Sequence, residues 1–392
     1  MSLRPGTVGI LPAGALGVAF FYHLTGGLAR QEGRVYFVER RGSASARSLR
    51  ECPELCISTL QGEKVQVPTQ EMLMPDLVTC FKQGFLPEVL LACPNPDQLL
   101  DLVTTAVELV EELYAQGHLL AAPLPLPWIV LCSNGIYFQR LRQVLIEKLE
   151  ESTLFGRLPD LWPELMPQIV GRLLRGVTVQ TGLREGSGAD TIYRPGPRSR
   201  TKLGGGDAQG RERCWQILTE LGGWFEIEAR VSPTRLEFDK GLVNMACNLL
   251  GQLWAIDEAG SFQLLTLNQI LLPIHEQPMR ELIYQVLQIG RALKVYDASD
   301  DVDTLYERVR EVSLAHGEHV PSSLQWVGMM LHLGKLEPQI TPTESWLVDP
   351  LIRYAMSAGL EEAELYFRNL KILLVEKLTR AIEATRSCDP VH

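Results

Sequence analysis

The sequence of 392 residues contains no Cys-x-x-Cys pair, and its eight cysteines (Cys52, Cys56, Cys80, Cys93, Cys132, Cys214, Cys247 and Cys388) are dispersed along the chain. Disulfide frameworks belong to small secreted chains, and zinc sites need clustered ligands, so free thiols in a reducing cytosol and no metal are expected. Positive charge is in deficit. Lys and Arg number 37 against 47 Asp and Glu, a formal net charge of −10. A chain this acidic has no global attraction for nucleic acid or for an anionic membrane. Long unbroken apolar segments are also missing. Residues 113–139 carry no Asp, Glu, Lys or Arg, but Pro123, Pro125 and Pro127 would break a spanning helix there. What is present is an ordinary globular composition, 46% hydrophobic and 21% charged, long enough for two or three domains. A soluble cytoplasmic protein is expected.

The apolar stretch 7–28 follows Arg4 and superficially resembles a signal peptide, but its internal pattern says otherwise. Thr7–Leu11 reads as a short buried strand, Leu11-Pro12-Ala13-Gly14-Ala15-Leu16-Gly17 as a glycine turn, and Val18–Leu24 as an apolar helix. A second strand, Arg34–Val38, ends at Glu39-Arg40-Arg41. Strand, turn, helix and strand in this order place a pyrophosphate on a helix N-terminus. Gly14 lets backbone approach the phosphates, and Gly17 lets helix and strand pack closely. Pro12 stands where the usual Gly-x-Gly-x-x-Gly has its first glycine. The acidic Glu39, 22 positions after Gly17, suits the ribose hydroxyls of NAD, whereas Arg40 suits the 2′-phosphate of NADP. Solvated loop charges are the plainer reading of Arg40 and Arg41.

Further strands are expected at Glu88–Cys93, closed by Pro94-Asn95-Pro96, and at Pro127–Ser133, with an amphipathic helix over 99–113 between them. The alternation implies a mostly parallel sheet with ligands at the strand C-termini. Asn134 stands at such an end, where a simple Asn-Gly turn is the competing explanation. Residues 182–210, rich in Gly, Arg and Ser, are expected to form one hairpin with a mobile tip. Its Arg194, Arg198, Arg200 and Lys202 suit either phosphate contact or plain solvation.

From about residue 232 the pattern becomes helical. Ser232 and Pro233 signal a helix start, and the helix is expected to continue without interruption to Trp254. Lys240, Asn244 and Asn248 recur at intervals of four and form a polar stripe on an otherwise apolar helix. Buried polar groups need partners, so this stripe points to a cleft, with a snorkelling lysine as the alternative. Helices are expected at 279–295, 302–315, 324–333, 345–357 and 360–384, with Glu344 near a helix N-terminus and residues 387–392 frayed.

These residues together resemble the ketopantoate reductase family, and the resemblance implies a longer, divergent member; the likeness spans roughly residues 6–370. The resemblance implies an α/β Rossmann-like dinucleotide-binding domain over 1–231. An all-α domain over 232–392, like the C-terminal domain of 6-phosphogluconate dehydrogenase, is implied to follow it. It also implies NADPH-dependent reduction of a 2-oxo acid, with ketopantoate giving pantoate. Leu11, Pro12, Ala13, Gly14, Ala15, Leu16, Gly17, Glu39, Arg40 and Asn134 are implied to bind the cofactor, NADP with NAD as the alternative. Lys240, Glu344 and Asn134 are implied to be catalytic, and Asn244, Asn248 and Ser323 to bind substrate. Glu337 is the substitute for Glu344. The chain departs from the family pattern at Pro12, at Pro94-Asn95-Pro96, at Asp349-Pro350 and in the Ser323 to Glu344 spacing. Alternatives are a same-scaffold reductase with another substrate and a nucleotide-binding regulatory protein without catalysis. The partner is a small molecule, and the apolar helices after residue 279 are compatible with a homodimer.

Overall fold

A computed structural model describes residues 3–28, 33–40, 42–51, 54–70, 72–121, 123–186 and 188–388. Arg41, Cys52 and the terminus from Asp389 onward, which figure in the sequence reading, lie outside the described residues. The chain divides into two compact units, residues 1–134 with 138–236, and residues 135–137 with 237–392.

The first unit contains twelve strands among its described residues. They are β1 (Arg4–Leu11), β2 (Val35–Val38), β3 (Glu54–Ser58), β4 (Lys64–Pro68), β5 (Leu73–Met74), β6 (Pro87–Ala92), β7 (Trp128–Leu131), β8 (Leu173–Thr178), β9 (Gly182–Glu185), β10 (Ile192–Pro195), β11 (Thr201–Gly205) and β12 (Phe225–Ile227). Its helices are α1 (Ala15–Leu24), α2 (Ala44–Glu51), α3 (Leu77–Lys82), α4 (Leu99–Ala115), α5 (Phe138–Glu151), α6 (Thr153–Arg157), α7 (Trp162–Gly171) and α8 (Ala208–Glu220).

Eight strands form one sheet in the order β12-β11-β8-β7-β6-β1-β2-β5. Neighbours from β8 to β5 run parallel, and β11 lies antiparallel to β8. Every residue of β6 is buried, as expected of a parallel strand with both faces covered. The six parallel strands take the doubly wound dinucleotide-binding order, and winding reverses between β1 and β6. Ligands in such sheets sit beyond the strand C-termini at that reversal, where Cys93 N–H donates to Leu11 O at 2.6 Å.

A second sheet, β4-β3-β10-β9, was not expected from the sequence. Only residues 182–195 of the predicted 182–210 hairpin form a hairpin; β11 joins the main sheet instead. Burial explains the difference, because Thr201 and Leu203 lie wholly inside and Thr201 Oγ1 bonds Thr178 Oγ1 at 2.8 Å. The basic residues here pair with carboxylates: Arg194 with Glu185, Arg200 with Glu226 and Lys202 with Glu228.

The second unit is helical. Its elements are α9 (Pro233–Asn244, whose first residues belong to the other unit), a π-turn (Met245–Leu249), α10 (Leu250–Ala255), α11 (Leu267–Ile270), α12 (Glu276–Ala292), α13 (Val302–Leu314), α14 (Ser322–His332), α15 (Pro342–Ala358) and α16 (Glu361–Cys388). Ser232 Oγ caps the first helix by accepting from Arg235 N–H at 3.1 Å. The helix expected to run unbroken to Trp254 is instead interrupted by the π-turn, an inserted residue that simple helical periodicity does not reveal. Phe238, Leu282, Phe367 and Leu374 are fully buried in its core. Among the described residues no helix is long and apolar enough to cross a membrane.

Candidate active site

In the first unit, β1 ends at Leu11 and α1 begins at Ala15, so Pro12, Ala13 and Gly14 make the connecting turn. The turn forms with proline in place of the first glycine. A Cβ on Gly17 would lie 2.2 Å from Pro12 O, which no side chain tolerates. Gly17 therefore serves packing. Gly14 differs: its φ is −93°, open to any residue, and the nearest atom to a Cβ there is Pro12 Cγ at 4.0 Å. Neither backbone strain nor neighbouring protein requires this glycine. The open space at the helix start, together with the lack of a side-chain cap on α1, fits a phosphate group.

Glu39 and Arg40 follow β2, and each has an ion-pair partner. Arg50 of α2 grips Glu39 with two nitrogens, its Nε donating to Oε1 at 2.7 Å. Arg40 Nη1 donates to Asp101 of α4 at 2.5 Å, and its Nε is buried without a partner. Both members of the cofactor-choice pair are thus held in place by other helices.

Asn134 follows β7 and is half-buried. The preceding strand ends are fastened by Arg175 of β8, only 2% exposed, a residue the sequence reading did not single out. Its Nη1 donates to Leu131 O at 2.6 Å and to Gly176 O at 2.8 Å, and its Nη2 donates to Ser133 O at 2.8 Å. Ser133 Oγ in turn donates to Pro94 O at 2.5 Å. A buried guanidinium at such a position is costly unless its donors are satisfied, and carbonyls at the strand ends provide that satisfaction. The only visible sequence signal was a lone arginine inside Leu173-Leu174-Arg175-Gly176-Val177.

In the helical unit, the polar stripe spans α9 and the π-turn with Lys240, Asn244 and Asn248, all half-buried. It continues to Gln252 of α10, which is 1% exposed. Gln252 keeps the four-residue spacing and lies one interval beyond the stripe expected from the sequence. Helices α14 and α15 both pack on the π-turn. They carry Ser323 and Glu344, 8% and 2% exposed. Gln252 Nε2 donates to Glu344 Oε1 at 3.2 Å. Among the described residues, Glu344 Oε2 and Ser323 Oγ are buried with no hydrogen-bond partner. Burial pushes the Glu344 carboxyl up to about 7, against the lowering by its own backbone N–H and by Gln252. Glu337, the substitute, is exposed. Asp349 is not an uncompensated charge, because it accepts from Lys371 Nζ at 2.6 Å and from Ser345 at 2.5 Å.

Gly135, φ +122°, belongs to the helical unit, as do Ile136 and Tyr137. Ile136 N–H donates to Trp346 O of α15 at 3.1 Å, and a Cβ on Gly135 would crowd Trp346 at 3.2 Å. The Asn-Gly pair therefore does more than turn the chain; its glycine makes a close approach that other residues would obstruct.

Solved structures match this architecture over nearly the whole chain. D-mandelate dehydrogenase in a ternary structure with NADH and anilino(oxo)acetate matches with TM-score 0.62 and 15% identity, over 96% of this chain and 99% of that one. A ketopantoate reductase from Ralstonia eutropha matches with TM-score 0.57 and 16% identity, over 95% and 99%. The chain has the ketopantoate reductase fold. A dimeric ketopantoate reductase from Staphylococcus aureus shares it with TM-score 0.55 and 12% identity, over 94% and 99%. No protein-family model matches the sequence, and neither does any curated protein. The α/β unit followed by an all-helical unit is the ketopantoate reductase architecture that the sequence motifs resembled.

Proposed function

We propose that the protein is an NAD(P)-dependent reductase of 2-oxo acids, with ketopantoate as the leading substrate and NADPH as the leading coenzyme. One observation carries this reading: the stripe Lys240-Asn244-Asn248-Gln252 adjoins a buried Glu344 that keeps one oxygen unpartnered. Unpartnered buried oxygens are costly in a finished core, whereas a ligand that completes them removes the cost.

A bound nicotinamide would supply the hydride needed at the substrate's carbonyl carbon. The Lys240 ammonium would stabilise the negative charge that develops on the carbonyl oxygen and deliver the proton that completes the hydroxyl. Asn244, Asn248 and Ser323 offer neutral donors for the substrate's hydroxyl and carboxylate groups. Glu344, which burial keeps largely protonated below about pH 7, positions Lys240 or a substrate hydroxyl and in that range adds little repulsion toward a carboxylate ligand. Asn134 orients the reacting carbonyl. Gly14 and the N-terminus of α1 receive the pyrophosphate, Gly17 closes the turn, and Leu11, Pro12, Ala13, Ala15 and Leu16 line it. Arg40 reads the 2′-phosphate, with Glu39 as the NAD-favouring counterpart. A homodimeric cytoplasmic enzyme is the accompanying expectation, in line with exposed Met356, Leu365 and Ile372 on α15 and α16.

A second reading, reduction of an aryl 2-oxo acid with NADH, is favoured by the likeness to the mandelate dehydrogenase structure. Oxidation of NADPH and NADH is measured with ketopantoate and with phenylglyoxylate, on the wild type and Lys240→Ala. Turnover that falls at least about a hundredfold in the variant supports the assignment of the proton donor. Saturable coenzyme binding without turnover on any 2-oxo acid would leave the chain a nucleotide-binding protein without this chemistry.

A further inference from the structure

The second sheet and the glycine turn meet at a residue to which nothing so far gives a role. Tyr193 of β10 is 5% exposed, and its hydroxyl donates to Ala13 O at 3.2 Å. Two further contacts bind the same hairpin to the same helix. His23 Nε2 bonds Gly196 O at 2.8 Å, and Gly182 comes so near that a Cβ there would lie 2.3 Å from Ala15 O. A sheet assembled from segments more than 100 residues apart in sequence is thus seated along α1, from Ala15 to His23.

The geometry points to Tyr193 as a positioning residue for the cofactor's pyrophosphate, acting through the Ala13–Gly14 peptide. Leu11–Pro12 is the one cis peptide among the described residues, so Ala13–Gly14 is trans and its C=O and N–H point in opposite directions. Holding the Ala13 carbonyl on the Tyr193 side turns the Gly14 N–H the other way. Beyond its own chain neighbours, the nearest atom to where a Cβ on the same glycine would stand is Pro12 Cγ at 4.0 Å. Tyr193 therefore presents a backbone donor to the space where an anion fits, and keeps the opposing carbonyl dipole away from it. This chain has a particular need for such a splint. Pro12 contributes no N–H, so the turn has fewer donors to spare for a phosphate.

The inference rests on the dinucleotide reading above, and its test separates the two. NADPH, NADH and ADP-ribose are titrated against the wild type, Tyr193→Phe, and Thr201→Val as a control that removes a buried hydrogen bond elsewhere in the same unit. All three ligands carry the pyrophosphate. Tyr193→Phe is expected to raise the three dissociation constants together by about three- to tenfold, the effect of one hydrogen bond, while Thr201→Val leaves them unchanged. Unchanged affinity in Tyr193→Phe overturns the inference. So does an equal loss in Thr201→Val, which would reveal general loosening, and so does a loss confined to the nicotinamide-bearing ligands. If the wild type itself binds none of the three, the dinucleotide reading falls first and the inference with it.

Discussion

Glu344 is the residue whose environment makes the sharpest statement about pH. In the folded protein its carboxyl keeps a proton up to about 7, whereas the ordinary value is 4.5. Between those values the folded state binds more protons than the unfolded one, so stability drains away as pH rises through this window. The full cost, at most about 3 kcal/mol, is reached above the folded value. Glu344→Gln removes the titration and retains the shape. Urea unfolding of both proteins from pH 4.5 to 7.5 is expected to show a gap that widens in favour of the variant as pH rises. A gap independent of pH would mean that the carboxyl is solvated.

At the scale of elements, the strand–turn–helix at the N-terminus allows packing and binding to be told apart. Gly17→Ala puts a methyl 2.2 Å from Pro12 O and is expected to cost about 1–3 kcal/mol of stability along with coenzyme affinity. Gly14→Ala meets only an ordinary contact with Pro12 Cγ at 4.0 Å, so it is expected to leave the unfolding midpoint intact and lower only the affinity, as measured by urea unfolding beside NADPH titration. This element was legible in the sequence because its code is local: a buried strand, two glycines with separate duties, and an acidic residue closing the next strand.

The second sheet was not legible. Its strands, such as Lys64-Val-Gln-Val-Pro68 and Gly182-Leu-Arg-Glu185, are short and mixed in polarity, and β3 pairs with β10 across more than 100 residues. The π-turn escaped for another reason, since an inserted residue leaves the apolar composition unchanged. Gln252 needed only one more four-residue step along the stripe. Arg175 could not be singled out because its three carbonyl partners come from the fold.

For the molecule as a whole, two separate hydrophobic cores underlie the two units. Their melting is expected to be separable by calorimetry. Phe367→Ala, which empties a fully buried site in the helical core, is expected to cost about 3–5 kcal/mol and lower one transition. The other transition should respond to NADPH, rising by about 3 kcal/mol of added stability at a hundredfold excess over Kd. A single transition moved equally by both changes would mean that the cores unfold as one.

Residues 135–137 return to the helical unit while the chain on either side stays with the α/β unit. Ile136, 1% exposed, is part of the helical core, and its own backbone N–H donates to Trp346 O. The modules are therefore laced together by three chain passages, which frustrates simple dissection. A fragment starting at Glu237 would leave a socket where Ile136 belongs, and a graft onto another dinucleotide-binding scaffold must carry this tripeptide as well as the helices. Recombination at one crossover point in the gene, the cheapest way to exchange such modules, would break the helical one.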